Sequence, residues 1–310
     1  MSAPSKPATP DGSKSERDEV TGQNTTGHVW DGIRELDRPL PRWWLLTFYA
    51  TIVFALGYMV LYPAIPLLRS ATPGLLGYSS RLNVEAAIAA ARGAQANNLQ
   101  RVAALSLEDI RRDETLSRFA ISGGRSAFAI NCSPCHGSGA AGSSGYPNLN
   151  DDDWLWGGDL AAIETTIRHG IRFAADTETR SSSMPAFGAD GILSPVEIAA
   201  LAETVLSLSG QPHDLAAART GAALFVDNCA PCHGERGEGN REFGAPALAD
   251  AISLYGKDRA AILAQITHPR HGVMPAWGGK LDAVTIKQLA LYVHALGGGE
   301  TKTAAPTASR

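Results

Sequence analysis

The sequence is poor in cysteine and methionine and carries no excess of basic residues. Four cysteines among 310 residues are too few for a disulfide scaffold, yet they fall in two close pairs, which indicates chemistry at those positions. A formal net charge of −4 lacks the basic field on which nucleic-acid binding depends, so nucleic acid is excluded as a partner. The length leaves room for two small domains plus accessory segments, and a hydrophobic share of 44% is enough for real cores.

A single long run without charge predicts a membrane anchor. Residues 43–62, WWLLTFYATIVFALGYMVLY, would form a helix about 30 Å long, which matches one hydrocarbon core. Aromatic rings lie at both ends of the run, where they favour the membrane interface, and Pro63 ends the helix. A buried core helix is the competing interpretation. Such a helix usually has a polar face, whereas this run offers only two threonines and a glycine as relief.

The residues around this run predict its orientation. Because 42 mostly polar residues precede it, the run is predicted to be an uncleaved, single-pass anchor rather than a signal peptide. Arg34, Arg38 and Arg42 lie before it, against Arg69 and Arg81 after it. This positive-inside bias predicts a cytoplasmic N-terminus, with everything after residue 69 on the outer side of the membrane.

Composition divides the chain into six segments. The two ends are polar and poor in large apolar groups, so both are predicted to be disordered. An Ala-rich stretch between the anchor and the first cysteine pair predicts a helical stalk. The predicted segments are a tail (1–27), a juxtamembrane segment with the transmembrane helix (28–69), a stalk (70–117), two domains (118–211 and 214–298) and a second tail (299–310).

The last two large segments are an internal repeat. Residues 124–137, GRSAFAINCSPCHG, align with residues 221–234, GAALFVDNCAPCHG, at an offset of 97. An M-P-A-F-G sequence in the first copy matches M-P-A-W-G in the second. Each copy then ends in a predicted helix, capped by Ser194 in a capping box with Glu197 and by Asp282 in the second copy. The repeat predicts two homologous helical domains.

Each copy carries a C-x-x-C-H motif, the signature of c-type haem attachment. Two thiols three residues apart on one turn can both form thioethers with the haem vinyl groups, and the next residue then presents its imidazole to the iron. The two pairs of a zinc site are usually about 15 to 20 residues apart, whereas Cys135 and Cys229 are 94 residues apart. A thioredoxin-type pair needs a βαβ context, which the sequence pattern does not indicate. Both alternatives are therefore disfavoured. The predicted sites are Cys132, Cys135 and His136 for haem 1, and Cys229, Cys232 and His233 for haem 2.

The scarcity of methionine predicts the second axial ligands. Of four methionines, Met1 is the initiator and Met59 lies inside the apolar run, which leaves Met184 and Met274. Taken in chain order, Met184 is predicted to pair with His136, and Met274 with His233. His/Met ligation fills both axial positions, raises the potential relative to bis-His ligation and suits electron transfer. Bis-His ligation stays open as an alternative, with His169, His268 and His271 as the candidate histidines.

These motifs resemble those of a known family, the dihaem cytochrome c subunit (CcoP or FixP, subunit III) of cbb3-type cytochrome c oxidases. The tandem C-x-x-C-H domains carry the resemblance together with two more specific stretches. One is HVWDGIRELDRPLPRWW at residues 28–44, and the other is NLNDDDWLWGG at residues 148–158. The resemblance implies an all-α fold, with one transmembrane helix followed by two tandem class I cytochrome c-like domains.

The resemblance also implies a role and a set of partners. It implies two covalent haem c groups on the four cysteines, with proximal His136 and His233 and distal Met184 and Met274. Electrons would pass from a soluble c-type donor, through the monohaem cytochrome subunit, to the haem-copper subunit that reduces oxygen and pumps protons. The chain itself would bind membrane lipid and have no catalytic residue.

Two other functions compete with this one. The first is a free-standing membrane-tethered dihaem carrier, or the cytochrome subunit of a periplasmic dehydrogenase, which would purify without haem b or copper. The second is a dihaem peroxidase, which needs one iron with an open or displaceable site. Both M-P-A loops argue against the peroxidase.

Overall fold

The computed structural model describes residues 16–250 and 252–300. The described residues up to Ala91 form one compact unit, and those from Arg92 onward form a second. Within the described residues the elements are β1 (Thr25–Trp30), β2 (Ile33–Leu36), α1 (Arg42–Leu61), α2 (Ser80–Ala104), α3 (Leu107–Arg112), α4 (Glu114–Asn131), α5 (Ser133–His136), α6 (Leu160–His169), α7 (Pro195–Leu208), α8 (Leu215–Asn228), α9 (Ala230–His233), α10 (Arg259–Thr267) and α11 (Ala283–His294).

The first unit begins with a hairpin that the helical prediction missed. Strands β1 and β2 pair antiparallel, with Trp30 opposite Ile33. Asp31 and Gly32 form the turn, and both have positive φ, as a tight two-residue hairpin loop requires. The predicted disordered tail 1–27 therefore ends earlier than expected, because Thr25 already pairs with Leu36. The part of that tail before residue 16 lies outside the described residues.

Helix α1 coincides with the predicted apolar run to within one residue at each end. It has 20 residues with a mean hydropathy of 1.9, and all its residues are exposed or half-buried. By length and composition it is the one helix among the described residues that could cross a membrane. The helix ends where the backbone of Tyr62 becomes extended, just before Pro63.

The second unit interleaves the two repeats. Helix α4 of the first copy packs along α11 of the second, and α11 also covers α6. Helix α7 of the first copy packs along α8, and α10 packs on α7. The boundaries 118–211 and 214–298 therefore describe the repeated sequence but not two separate bodies. The physical reason is the short link between α7 and α8, which folds these neighbouring helices against each other as a hairpin.

Two glycines allow the helices of each pair to approach closely. A Cβ atom at Gly124 on α4 would overlap the backbone carbonyl of Gln288 on α11. A Cβ atom at Gly221 on α8 would overlap the backbone carbonyl of Ala200 on α7. These glycines occupy the same position in the aligned repeats, so the two crossings have the same design.

Each helix pair closes a hydrophobic core, and each core contains residues of both repeats. We call the group of helices α4, α6 and α11 the first haem unit, and the group α7, α8 and α10 the second haem unit. Each is numbered after the C-x-x-C-H motif whose first cysteine packs against its core. The first core also takes in Val102, Leu107 and Ile110, so the end of the predicted stalk belongs to it. The largest buried side chains of the two cores include Leu116, Phe128, Ile286 and Leu289 in the first, and Leu201, Phe225, Ile198 and Ile266 in the second.

Candidate haem sites

The two C-x-x-C-H motifs form one short helical turn each, α5 and α9. The first cysteine of each motif is the residue before the turn, and its backbone amide still bonds the preceding helix, at Phe128 and at Phe225. Cys132 and Cys229 are half-buried, and the second cysteine of each motif is exposed. Burial, with a smaller effect of the neighbouring thiol, raises the pKa of Cys132 and of Cys229 to about 11. All four cysteines are free thiols available for thioether bonds.

A backbone carbonyl orients each predicted proximal histidine. His136 places Nδ1 3.2 Å from the carbonyl oxygen of Pro147, and His233 places Nδ1 2.9 Å from that of Pro246. An Nδ1–H that donates to this carbonyl fixes the tautomer and leaves Nε2 as the metal-binding nitrogen. Burial lowers the pKa of both imidazoles, which favours the neutral form that binds iron, although the carbonyl contact opposes this shift.

The methionines lie opposite to the order of the chain. Met274 packs against the first core, where Cys132 also lies, whereas Met184 packs against the second core with Cys229. The predicted pairs, His136 with Met184 and His233 with Met274, therefore differ from the structure, which brings Met274 to the first haem unit and Met184 to the second. The reason is again the helical hairpin of α7 and α8. Met184 lies in the loop before α7, so the packing of α7 against α8 places this methionine in the second haem unit.

Backbone bonds fix the exchanged position of each methionine loop. Met274 and Ile171 exchange two backbone hydrogen bonds, of 3.0 and 2.9 Å, directly after α6. The amide of Trp277 also donates to the carbonyl of Ile167 within α6, at 3.1 Å. In the second haem unit, the amide of Ala189 donates to the carbonyl of Thr267 at the end of α10, at 3.1 Å. Each M-P-A loop is thus held to the helix that follows the other motif.

The second haem unit contains a cavity of about 530 Å³. Its wall includes Cys229, Cys232, His233 and Met184, so both thiols, the histidine of the motif and the methionine that was predicted for the other site face one space. Apolar side chains such as Leu201 and Ile262 line the same wall. A mostly apolar cavity of this size, with a few convergent polar groups, is what a planar cofactor needs. The residues present therefore fit a haem c group.

The other histidines are placed less favourably for iron. His169 has Asp176 at 3.2 Å from Nδ1 and Glu178 at 3.2 Å from Nε2, so carboxylates occupy both its nitrogens. His268 is exposed, and His271 lies exposed at the cavity edge. Within residues 16–250 and 252–300, no group of three or more His, Cys, Asp or Glu side chains is arranged to hold a metal ion. The zinc alternative therefore gains no support.

Sequence reasoning passed over three features of these sites. The prolines after each motif supply the carbonyls that orient the histidines, a role that their aligned positions could have suggested. Asp153, within the stretch 148–158 that carries the family resemblance, lines the cavity together with Asp151. Arg172 also lines it, and no motif in the sequence singled out that residue.

Comparison with known proteins places this architecture in one family. The profile described as the N-terminal domain of cytochrome oxidase-cbb3, FixP, matches residues 22–69. The profile described as cytochrome C oxidase, cbb3-type, subunit III, matches residues 119–203 and 216–293. The chain belongs to the family of subunit III of cbb3-type cytochrome c oxidases.

Individual relatives cover nearly the whole chain. The cbb3-type cytochrome c oxidase subunit FixP of Rhizobium etli is 53% identical over 282 residues, which is 91% of this chain and 98% of that protein. FixP of Sinorhizobium medicae is 55% identical, with 91% and 97% of the two chains covered. CcoP of Cereibacter sphaeroides is 54% identical over 89% of this chain and 95% of that protein. This family membership confirms the resemblance that the motifs carried.

Proposed function

We propose that this chain is the dihaem electron-transfer subunit of a cbb3-type cytochrome c oxidase. The observation that carries the proposal is the pair of C-x-x-C-H turns, each with a histidine oriented by a proline carbonyl and each supplied with a methionine, in a chain of the subunit III family. Filled axial positions suit electron transfer rather than ligand chemistry. The chain then accepts electrons from a soluble c-type donor and passes them, through the monohaem subunit, to the haem-copper subunit.

In this proposal the chain binds two haem c groups. Cys132 and Cys135 hold one by thioether bonds, and Cys229 and Cys232 hold the other. When bound, each haem supplies a one-electron iron couple whose potential His/Met ligation raises. His136 and His233 bind iron through Nε2. The core clusters support Met274 as the partner of His136 and Met184 as the partner of His233, the exchange of the order in the sequence.

Helix α1 supports the proposed location. A 20-residue apolar helix whose flanking arginines lie mainly on its N-terminal side favours a single-pass anchor in the bacterial inner membrane, with a cytoplasmic N-terminus. Both haem units then lie in the periplasm, where they meet the soluble donor. The anchor keeps the chain beside the membrane-embedded subunits of the oxidase.

Purification of the complex tests this function. For this test a tag is added at the C-terminus, the membranes are solubilised gently and the tagged chain is purified. Reduced-minus-oxidised and CO-difference spectra are then recorded for the material that co-purifies. We expect haem b, a CO-binding high-spin haem and copper, besides two haem c groups per chain. Haem c alone, at two per chain, would favour the alternative of a free-standing tethered carrier. The absence of covalent haem would contradict both functions.

A labelled haem tests the exchanged ligands. In Cys135→Ala one vinyl group stays unsaturated, which shifts the absorption of that haem to longer wavelength and marks it. We expect Met274→His to lower the midpoint potential of the marked haem, and Met184→His to leave it unchanged. The Cys232→Ala background, which marks the other haem, should give the reverse result. If Met184→His lowered the potential of the haem marked by Cys135→Ala, ligation would follow chain order instead.

A further inference from the structure

Arg172 contacts both methionine loops. Its Nε donates to the carbonyl of Gly272 at 2.8 Å, and its Nη1 donates to the carbonyl of Ser182 at 3.1 Å. Gly272 lies two residues before Met274, and Ser182 lies two residues before Met184. One planar guanidinium therefore bonds the two loops at equivalent positions. A side chain with a single donor could not reach both carbonyls in this way.

The backbone of Arg172 is fixed in a conformation that costs free energy. Its φ is +51°, in the left-handed region that residues other than glycine rarely adopt. Bonds on both sides hold it there, because the preceding Ile171 pairs with Met274 and the amide of Arg172 donates to the carbonyl of Arg180 at 2.8 Å. The strain is thus maintained at the point where the chain leaves α6 and meets the Met274 loop.

The charge of Arg172 has no carboxylate partner among the described contacts. Both acceptors of its side chain are backbone carbonyls. Burial lowers the pKa of the guanidinium, but an arginine remains protonated. The residue lines the cavity that also contains Met184 and His233. Two other charged residues of that cavity are Asp153 and Arg270. Neither side chain bonds the carbonyl of Gly272 or that of Ser182.

We propose that Arg172 is a shared positioning residue, which clasps the loops of Met184 and Met274 and so holds both axial methionines on their irons at once. This inference rests on the proposed haem ligation and goes beyond it, because it links the two sites through one side chain. Loss of the clasp frees both loops, so both irons lose methionine for part of the time. A bound methionine raises the potential, so both midpoints fall together.

Arg172→Ala in the full holo-chain tests the clasp, and Arg168→Ala is the matched control. Arg168 lies four residues earlier, on α6, and its side chain pairs with Glu164 at 2.7 Å. In Arg172→Ala we expect the sulfur-to-iron absorption band of the oxidised protein to fall to less than half. We also expect new CO binding to the reduced haem c groups and lower midpoints for both. Arg168→Ala should keep the full band. A band loss confined to one haem in Arg172→Ala would overturn the proposal.

A milder variant decides the case if Arg172→Ala does not assemble with two haems. Arg172→Lys keeps the charge but offers one ammonium group, which bonds one of the two carbonyls at a time. We expect partial band loss and CO binding in this variant, and its full methionine ligation at both haems would overturn the proposal. Absence of covalent haem from the unsubstituted chain would instead defeat the proposed function. Two haems per chain with bands indifferent to residue 172 would defeat the clasp alone.

Discussion

The two haem units use the same helix crossing but fill it differently. In the first, Leu291 on α11 is buried, and the ring of Tyr292 packs 5.3 Å from that of Phe128 on α4. The corresponding residues of α7, counted from the capping residues Ser194 and Asp282, are Glu203 and Thr204. Glu203 is only 3% exposed, and Thr204 donates to the carbonyl of Ala218 on α8 at 2.9 Å. At these two positions the first crossing is thus apolar, whereas the second is held by polar contacts.

This difference indicates how one repeated sequence avoids mispairing of its helices. Glu203 accepts a hydrogen bond from the amide of Asp214 at 2.7 Å and forms an ion pair with Arg259. These partners lie at the start of α8 and of α10, so both of them belong to the second haem unit. In the first, Leu291 meets apolar neighbours. We infer that a buried polar group selects the partner of α7, a use of such groups known from helical assemblies.

The largest expected effect comes from closing the space at a helix crossing. In Gly124→Ala the new methyl group overlaps the backbone of Gln288, so α4 and α11 must separate. We expect a loss of about 3 kcal/mol or more in the free energy of unfolding, at the upper end for overpacked cores. Hydrogen exchange should accelerate in α11, residues 283–294, rather than in α7. Faster exchange in α7 would contradict the interleaved packing.

Two other glycines provide the controls for this prediction. Gly221→Ala should accelerate exchange in α7, because its methyl group meets the carbonyl of Ala200. Gly93 lies within α2 with no atom near the position of an added Cβ. Gly93→Ala should leave the haem units unchanged and stabilise α2 by up to about 1 kcal/mol through helix propensity.

Substitution of Glu203 tests how much its buried carboxylate stabilises the second haem unit. Glu203→Ala leaves the amide of Asp214 and the guanidinium of Arg259 without their buried acceptor. We expect a loss of about 2 to 3 kcal/mol, less than for a fully buried pair because Arg259 is half-exposed. Thermal unfolding of the holo-chain measures this effect. Glu203→Gln, which retains an acceptor, should lose clearly less. Equal losses in both variants would show that packing, not the acceptor, matters at this position.

Lys287 makes contacts in the first haem unit that its counterpart in the second unit does not make. Its Nζ on α11 donates to the carbonyls of Val102, Ala103 and Leu105, at 3.2, 3.1 and 2.7 Å, and so caps the end of α2. The corresponding residue of α7 is Ala199, which has no such group. Lys287→Met keeps the aliphatic stem but removes the cap, and we expect a loss of about 1 kcal/mol. Faster hydrogen exchange at residues 100–105 would locate it, and unchanged exchange there would contradict the capping role.

The sequence specified local features of this molecule better than the pairing of its helices. The capping box of Ser194, the cap at Asp282 and the apolar helix α1 are all confirmed, because each depends on residues a few positions apart. The hairpin at Asp31–Gly32 was missed, although this dipeptide favours such a turn. The exchange of α7 and α11 could not be predicted from periodicity. Both helices present similar apolar stripes, and the link between α7 and α8 decides which partner each one meets.

An effect as small as that at Lys287 is expected at Asp153, which lines the cavity of the second haem unit. Burial first, and then the carboxylates of Asp250, Asp151 and Asp152, raise its pKa to about 6, while Arg241 opposes them. The folded chain therefore binds this proton more tightly than the unfolded chain. The stabilisation is complete below the unfolded pKa of about 4 and is lost as the pH rises through about 6.

Asp153→Asn removes this titration without changing the shape of the side chain. At about pH 7 we expect the variant to be more stable than the parent by about 1 kcal/mol, after allowance for solvent screening. Near pH 4, where the parent carboxyl is also neutral, the two should unfold at about the same temperature. Thermal unfolding of both chains across this range measures the difference. A difference independent of pH would mean that the substitution alters packing, and that the acidic side of the cavity imposes no electrostatic cost on the second haem unit.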